Sequence, residues 1–205
     1  MRSPAAHAAA SSRALSDRAA GASSASAPPP GRGYGGSRVS AHPQNEAPHR
    51  LIRDCRFGEG VIVHSFTNLY GCSIGAHSRI GPFVEIQDGA SIGAACKVQS
   101  HSLICSGVQI GDRVFVGHGV IFVNDKQPRA TNPGGSLQAP GDWELLEITV
   151  ESDATVGSGA LILGGVTIGR GAMVAAGAVV SADVPPETTA IGVPARVARS
   201  RRSPS

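Results

Sequence analysis

His101 and His118 are two side chains of this sequence that are well suited to proton transfer near neutral pH. Imidazole titrates near pH 6.5 in free peptides, so it accepts and returns a proton under ordinary conditions. A histidine that acts as a general base typically contributes about 10²- to 10⁴-fold to a rate. The two residues are 17 positions apart, and the elements that carry them decide whether they can act together.

Those elements are set by a repeat of six residues. From Ile74 to Phe122 a branched aliphatic residue or Phe recurs at every sixth position, and a second series runs from Val150 to Val180. A weaker series precedes both and consists of Leu51, Phe57, Val63 and Leu69. A period of six is typical of a hexapeptide-repeat β-helix. With three hexads in each triangular coil, the sequence predicts an all-β parallel helix of about six coils, roughly 30 Å tall at ~4.8 Å per coil.

The positions within each hexad agree with this prediction. The residue after the aliphatic is often Gly, as expected for tight turns at the corners of a prism. The residue two positions before the aliphatic is small or β-branched and should also point inward. These residues are Ser78, Val84, Ala90, Ser102, Val108, Val114, Val120, Ala154, Ala160, Val166, Ala172 and Ala178.

The repeat also predicts where the histidines lie on the coils. A separation of 17 residues is one short of a coil, so His101 and His118 should lie near one corner on neighbouring coils, about 4.8 Å apart. His64 should lie on the same side, in a stack beneath Gly81, Gln99 and Gly117.

Two segments interrupt or precede the repeat. Residues 1–50 are rich in Ala, Ser, Pro and Arg, and we expect a disordered extension, although the composition also fits an organellar transit peptide. Residues 123–149 break the rhythm with Pro and Gly, and we expect an external loop, since long loops are usually functional. The β-helix domain should cover residues 51–199, and residues 200–205 form a basic tail.

Composition argues against several classes of protein. The net charge is +3, but residues 1–50 hold six Arg against two acidic residues, so the repeat region is close to neutral and shows no nucleic-acid footprint. No apolar run is long enough to span a bilayer. The four cysteines lack metal-site spacing, and we interpret them as reduced core residues, with a reactive thiol as the alternative.

Two segments carry a resemblance to a known family. The stretch KVQSHSLICSGVQIGDRVFVGHGVIFVNDKQPRA, residues 97–130, resembles hexapeptide-repeat N-acetyltransferases that act on UDP-linked 3-amino uronic sugars or dTDP-linked 3-amino deoxyhexoses. The C-terminal stretch, with its G-V-P-A-R turn, is similar to the acetyl-CoA-binding end of the same acyltransferases. The resemblance covers roughly residues 51–199 and implies left-handed coiling, a cytoplasmic location, acetyl-CoA as donor, and a homotrimer with its sites between subunits.

The resemblance also implies site residues. Positions that match contacts to the acetyl-CoA arm and phosphates are Ser158, Ala176, Ser181, Ala182, Arg196 and Arg199. Some relatives have Lys at the position of Ala182, where this chain could offer only backbone. His101 matches the residue near the reacting amine and is our candidate base, with His118 as the alternative. In relatives with Asn at that position, the departing CoA sulfur could take the proton.

The residues that would bind the acceptor substrate are less well defined. His64 matches a sugar or nucleotide contact of the family. Further candidates for uracil, phosphate or sugar contacts are Asn68, Glu85, Lys97, Asn124 and Lys126. Lys97 could pair with diphosphate oxygens. The expected reaction is therefore acetylation of a nucleotide-linked amino sugar, such as a UDP-2-acetamido-3-amino-glucuronate, for surface polysaccharide precursors.

Three alternatives remain open. The acceptor could be another amine or a hydroxyl, because the fold does not choose among them. The protein could be a non-catalytic β-helix that binds or supports a partner. It could also be a zinc hydratase of the γ-carbonic anhydrase type, which needs three converging His ligands. We expect no metal, because His64, His77, His101 and His118 include no pair separated by four residues.

Overall fold

The computed structural model describes residues 49–139 and 141–200, in which the chain forms 21 β-strands and no helix. In chain order the strands up to the external loop are β1 (Arg50–Arg53), β2 (Arg56–Phe57), β3 (Ile62–Val63), β4 (Thr67–Tyr70), β5 (Ser73–Ile74), β6 (Arg79–Ile80), β7 (Glu85–Ile86), β8 (Ser91–Ile92), β9 (Lys97–Val98), β10 (Leu103–Ile104), β11 (Val108–Ile110), β12 (Phe115–Val116) and β13 (Ile121–Val123). Those after it are β14 (Ile148–Val150), β15 (Thr155–Val156), β16 (Leu161–Leu163), β17 (Thr167–Ile168), β18 (Met173–Val174), β19 (Val179–Val180), β20 (Thr188–Gly192) and β21 (Ala195–Ser200).

Every third strand belongs to the same sheet. Sheet A has the order β1-β4-β7-β10-β13-β16-β19, sheet B the order β17-β14-β11-β8-β5-β2, and sheet C the order β21-β20-β18-β15-β12-β9-β6-β3. All pairs are parallel except β20 with β21. The chain therefore passes through the three sheets in turn, and the predicted three-sided parallel β-helix is confirmed.

The helix is taller than the predicted six coils, since its sheets hold seven, six and eight strands. The nineteen hexads of the sequence correspond to β1–β19. Strands β20 and β21 lack the six-residue pattern, yet β20 continues sheet C in parallel on β18, and β21 folds back on it through the turn at Val193 and Pro194.

The interior of the column contains the predicted ladders. Every aliphatic residue of the series from Ile74 to Phe122 and from Val150 to Val180 is buried, and so are the smaller residues two positions before them. The buried hydroxyls of Ser78 and Ser102 donate to the carbonyls of Gly93 and Gly117 one coil away, at 2.8 and 2.9 Å. Burial without a lost hydrogen bond is what allows polar residues at these inward positions.

The first coil departs from the predicted pattern. Leu51 was expected to point inward, but it pairs with Asn68 and is 68% exposed. Its neighbour Ile52 pairs with the buried Leu69 and occupies the inward ladder instead. The reason is a coil of 17 rather than 18 residues between Ile52 and Leu69, which moves the inward position by one.

The external loop lies between β13 and β14 and comprises residues 124–147, slightly fewer than the predicted 123–149. Val123 is still in the ladder, where it pairs with Leu163, and Thr149 pairs with Gln109. The predicted extension over residues 1–50 lies outside the described residues except for its last two, and the predicted tail over residues 200–205 lies outside them except for Ser200. Within the described part of the chain, no helix has the length and apolar character needed to cross a membrane.

Candidate functional site at the histidine corner

The corner that leads from sheet C to sheet A carries the candidate base. We call it the histidine corner, and it comprises residues 64–66, 81–83, 99–101, 117–119, 157–159 and 175–177. His101 and His118 are both exposed and lie on neighbouring coils. The Ser100 hydroxyl is 2.9 Å from His118 Nδ1, and the Gly119 N–H donates to the Ser100 carbonyl at 2.9 Å. The structure thus brings the two histidines together at one edge of the column.

His101 is the uppermost ring of an aromatic column along this corner. His49, Phe66, Phe83 and His101 stack in succession, with ring centroids 5.6, 5.1 and 4.8 Å apart and interplanar angles of 19°, 6° and 21°. Three of the four residues, Phe66, Phe83 and His101, have a positive φ of 58–63°, which turns their side chains outward at the corner. Parallel offset rings at these separations attract each other, so the stack holds the His101 imidazole in a defined orientation.

Glycines replace the rings above His101. Gly119, Gly159 and Gly177 occupy the same corner position on the next three coils, with φ of 63°, 70° and 67°. A methyl group built on any of them would have no neighbour within 4 Å. We call this strip the glycine ledge. Its bare backbone leaves room for a ligand directly above the His101 ring.

A row of polar groups runs beside the ledge. The Ser158 hydroxyl accepts a hydrogen bond from the His118 N–H at 3.1 Å, and the Gly177 N–H donates to the Ser158 carbonyl at 2.9 Å. Ser158 and Ala176 are therefore one coil apart on the same corner, as their spacing predicted. Gly117 allows the coil of His118 to approach the coil of Ser158 closely, since a Cβ at this position would lie 2.5 Å from the Ser158 nitrogen.

Three predicted substrate residues lie at or near this corner but on other coils or faces. His64 is exposed on the second coil level, and its N–H donates to Ile80 at 2.9 Å, in the stack that the sequence predicted. Asn68 and Glu85 are register partners on sheet A, and Glu85 accepts a hydrogen bond from Gln87 at 2.9 Å. Partial burial, followed by the Glu85 charge, raises the pKa of Tyr70 beside them.

The remaining candidates are further from His101. Lys97 lies on sheet C, paired with Arg79 below and Phe115 above. Asn124 anchors the base of the external loop, because its amide donates to the Ser106 carbonyl at 2.9 Å. Lys126 lines a cleft of about 420 Å³ within the loop, together with the half-buried Trp143.

The predicted coenzyme residues are divided between two corners and the C-terminal hairpin. Ser158 and Ala176 lie at the histidine corner, whereas Ser181 and Ala182 are exposed at the far edge of sheet A, after β19. Arg196 is exposed on β21, the strand that also contains Arg199. Among the described residues, no group of three His, Cys, Asp or Glu side chains is placed to hold a metal ion.

The sequence interpretation missed the aromatic column and the glycine ledge. The sequence does contain a signal for the column, because its four aromatic residues follow one another at intervals of 17, 17 and 18 residues, namely His49, Phe66, Phe83 and His101. This spacing becomes visible only when the coil length is allowed to vary.

Comparison with known families supports the resemblance noted in the sequence. Residues 147–182 match the family described as bacterial transferase hexapeptide (six repeats). The bifunctional protein GlmU of Acidithiobacillus ferrooxidans is 28% identical over an alignment of 131 positions, which covers 55% of this chain. The aligned part is 29% of that protein, so the chain spans less than a third of the length of this relative.

Solved structures share the fold. PerB from Caulobacter crescentus, in complex with CoA and GDP-perosamine, superposes with a TM-score of 0.57 and 22% identity, covering 69% of this chain and 58% of that one. AntD from Bacillus cereus, an N-acyltransferase in complex with dTDP and 3-hydroxybutyryl-CoA, gives 0.61 and 19%, covering 73% and 84%. These comparisons support the left-handed parallel β-helix that the family resemblance implied.

Proposed function

We propose that this chain is an acyl-CoA-dependent N-acyltransferase that acetylates the amino group of a nucleotide-linked amino sugar at the histidine corner. The observation that carries the proposal is the exposed imidazole of His101, held by the aromatic column directly below the open glycine ledge. The likeness to PerB and AntD, whose structures contain CoA or an acyl-CoA with a nucleotide or nucleotide sugar, supports the choice of substrates.

In this proposal the acyl donor lies along the glycine ledge and the amine approaches the ring of His101. The neutral amine attacks the thioester carbonyl, the C–S bond breaks, and CoA leaves as the thiol. His101 accepts the proton that the amine loses and passes it to the departing CoA sulfur, and its orientation is fixed by stacking on Phe83. His118, one coil above and bonded to Ser100, is the alternative proton acceptor. Much of the rate would come from holding donor and acceptor in line.

We assign binding roles to the other candidate residues from their positions. Ser158 and Ala176 would contact the pantetheine arm, since they flank the ledge on successive coils. Ser181, Ala182, Arg196 and Arg199 would contact the rest of acetyl-CoA. The acceptor would be bound by residues around the lower coils and the loop, namely His64, Asn68, Glu85, Lys97, Asn124 and Lys126.

Several wider features belong to the same proposal. We infer a homotrimer, because an exposed corner gains a second wall when a neighbouring subunit packs against it. We also infer a cytoplasmic location and a role in polysaccharide precursor synthesis, since acetyl-CoA and nucleotide sugars are the substrates. No metal is required for the transfer.

An acetylation assay tests the proposal. Purified protein is incubated with acetyl-CoA and a panel of UDP-, dTDP- and GDP-linked amino sugars, and CoA release is measured together with the mass of the product. We expect at least one amino sugar to gain an acetyl group, and His101→Ala to lower kcat by about 10²- to 10⁴-fold.

His77→Ala is the matched control. His77 is also an exposed corner histidine with positive φ, 60° against 63° for His101, but it lies at the corner between sheets B and C. The His77→Ala variant should therefore retain wild-type turnover. If no amino sugar is acetylated, or if both variants have equal activity, the proposed function is wrong.

A further inference from the structure

Two cysteines face each other where the first two coils meet, away from the histidine corner. Cys55 and Cys72 lie directly opposite, since the residues that follow them, Arg56 and Ser73, are register partners in sheet B. The Arg56 N–H donates to the Cys72 carbonyl at 2.9 Å. The two Sγ atoms are 3.5 Å apart, and both residues are in the thiol form.

We propose that Cys55 and Cys72 are a reversible redox site, which small-molecule disulfides oxidise to a disulfide that joins the first two coils. Neighbouring strands are about 4.8 Å apart, which falls within the Cα separation of about 4.4–6.8 Å that disulfides span. The backbone is therefore already placed for the bond. Closing the sulfurs from 3.5 Å to about 2.05 Å requires only small side-chain rotations.

The two thiols differ in access, and this difference sets the order of the reaction. Cys55 is half-buried in the outermost coil, whereas Cys72 is only 2% exposed. Burial and the neighbouring Cys55 raise the pKa of Cys72 to about 12. Because the thiolate is the attacking form, Cys55 reacts first with an oxidant from solution.

The exchange proceeds in two balanced steps. The Cys55 thiolate attacks one sulfur of the oxidant, and a mixed disulfide forms while the first oxidant thiol leaves. Cys72 then loses its proton to solvent and attacks Cys55 Sγ, which breaks the mixed disulfide and releases the second thiol. The protein has lost two electrons and two protons, and the oxidant disulfide has been reduced to two thiols.

The other two cysteines are in different surroundings. Cys96 Sγ lies 3.1 Å from the carbonyl of Gly111 and 3.6 Å from that of Ala94. Cys105 is buried in the core, and burial raises the pKa of its thiol. Both serve as internal controls because they lie on higher coils of the same column.

The new disulfide would close a short chain segment at the open end of the helix. The first coil leaves Ile52 and Phe57 39% and 41% exposed, so it is packed less tightly than the middle coils of the column. A loop of about 15 residues closed by a disulfide gains enough stability to slow local opening on the order of 100-fold. Oxidation therefore fixes β2, which follows Cys55 directly, against the second coil.

Mass spectrometry of the full chain tests the proposal. The native protein is equilibrated at pH 8 with excess glutathione disulfide over glutathione, then alkylated and digested. We expect a Cys55–Cys72 cross-link with the loss of two hydrogens, reversal by reduced glutathione, and alkylated Cys96 and Cys105 after unfolding. Amide exchange of β2, which lies within the closed segment, should slow on the order of 100-fold in the oxidised form.

Two variants separate this chemistry from nonspecific oxidation. Cys72→Ser should stop at a glutathione adduct on Cys55, and Cys55→Ser should show no adduct while folded. The proposal fails if the native wild-type protein keeps four free thiols, if the cross-link forms only after unfolding, or if Cys96 or Cys105 is modified equally. None of these results depends on the proposed acyltransferase activity.

Discussion

Replacing Phe83 by Ala tests whether the aromatic column orients His101. Phe83 is the third of the four rings, with centroids 5.1 Å from Phe66 and 4.8 Å from His101. Its φ of 58° lies in the left-handed region, where Phe and Ala both carry a Cβ. The exchange therefore removes the ring and leaves the backbone strain nearly unchanged.

The size of the effect follows from the two stacked pairs. A stacked aromatic pair contributes about 0.5–1.5 kcal/mol beyond the burial of its area. Only the pair with His101 affects the reaction, so the orientation preference of the imidazole weakens by that amount. This corresponds to a fall of about 2- to 12-fold in the population of the productive ring orientation. Since Phe83 is 51% exposed, the effect on the free energy of unfolding should be small.

Steady-state acetylation kinetics provide the assay. We expect kcat for the amino sugar to fall about 2- to 12-fold in Phe83→Ala, with an unchanged KM for acetyl-CoA. Phe83→Tyr should restore the rate, because it restores the ring, whereas Phe83→Leu should not. A merely structural role would not distinguish Tyr from Leu in this way.

Phe115→Ala is the matched control, because Phe115 is a partly exposed ring, 37% accessible, on the flat face of sheet C. Its loss should leave kcat unchanged. The reasoning is refuted if Phe83→Ala keeps wild-type kcat while His101→Ala loses it. Equal losses in Phe83→Ala and Phe115→Ala would also refute it.

Three further predictions concern the core, the ledge and the surface charges. Phe122→Ala, at a 1% exposed core position, should lower the free energy of unfolding in urea by about 3–5 kcal/mol, and a loss under 1 kcal/mol would contradict the packing. Gly159→Val should raise the KM for acetyl-CoA several-fold, whereas Gly135→Val, also at positive φ with open space but in the external loop, should cause similar strain without that change. Hydrogen bonding to Arg113 lowers the pKa of Asp153, so its stabilising contribution is present above the usual Asp range and is lost as pH falls through the lowered pKa. The Tm difference between wild type and Asp153→Asn should therefore be largest near pH 7 and vanish in acid, and a constant difference would contradict it.

The interior of the column was predictable because it depends on a single rule. Aliphatic side chains six residues apart fill one inward ladder after another, and from Ile74 upward every predicted inward position is buried. The rule fails at Leu51, where a 17-residue coil shifts the register. The rule makes no prediction for β20 and β21, because β20 pairs with the open edge of sheet C at β18 and β21 pairs with β20, and neither strand has the repeat.

The histidine corner was predictable only in part, because corner residues face outward and the hexad pattern does not constrain them. A fixed spacing of 18 residues leads from His101 down to Phe83, but the next step points to Ser65 instead of Phe66. The shorter coils below Phe83 bring Phe66 and His49 into line with it, so the column depends on the variation in coil length. Irregular coils thus decide which side chains meet at this edge, and a strictly regular repeat would have separated the ring that orients His101 from the rings that support it.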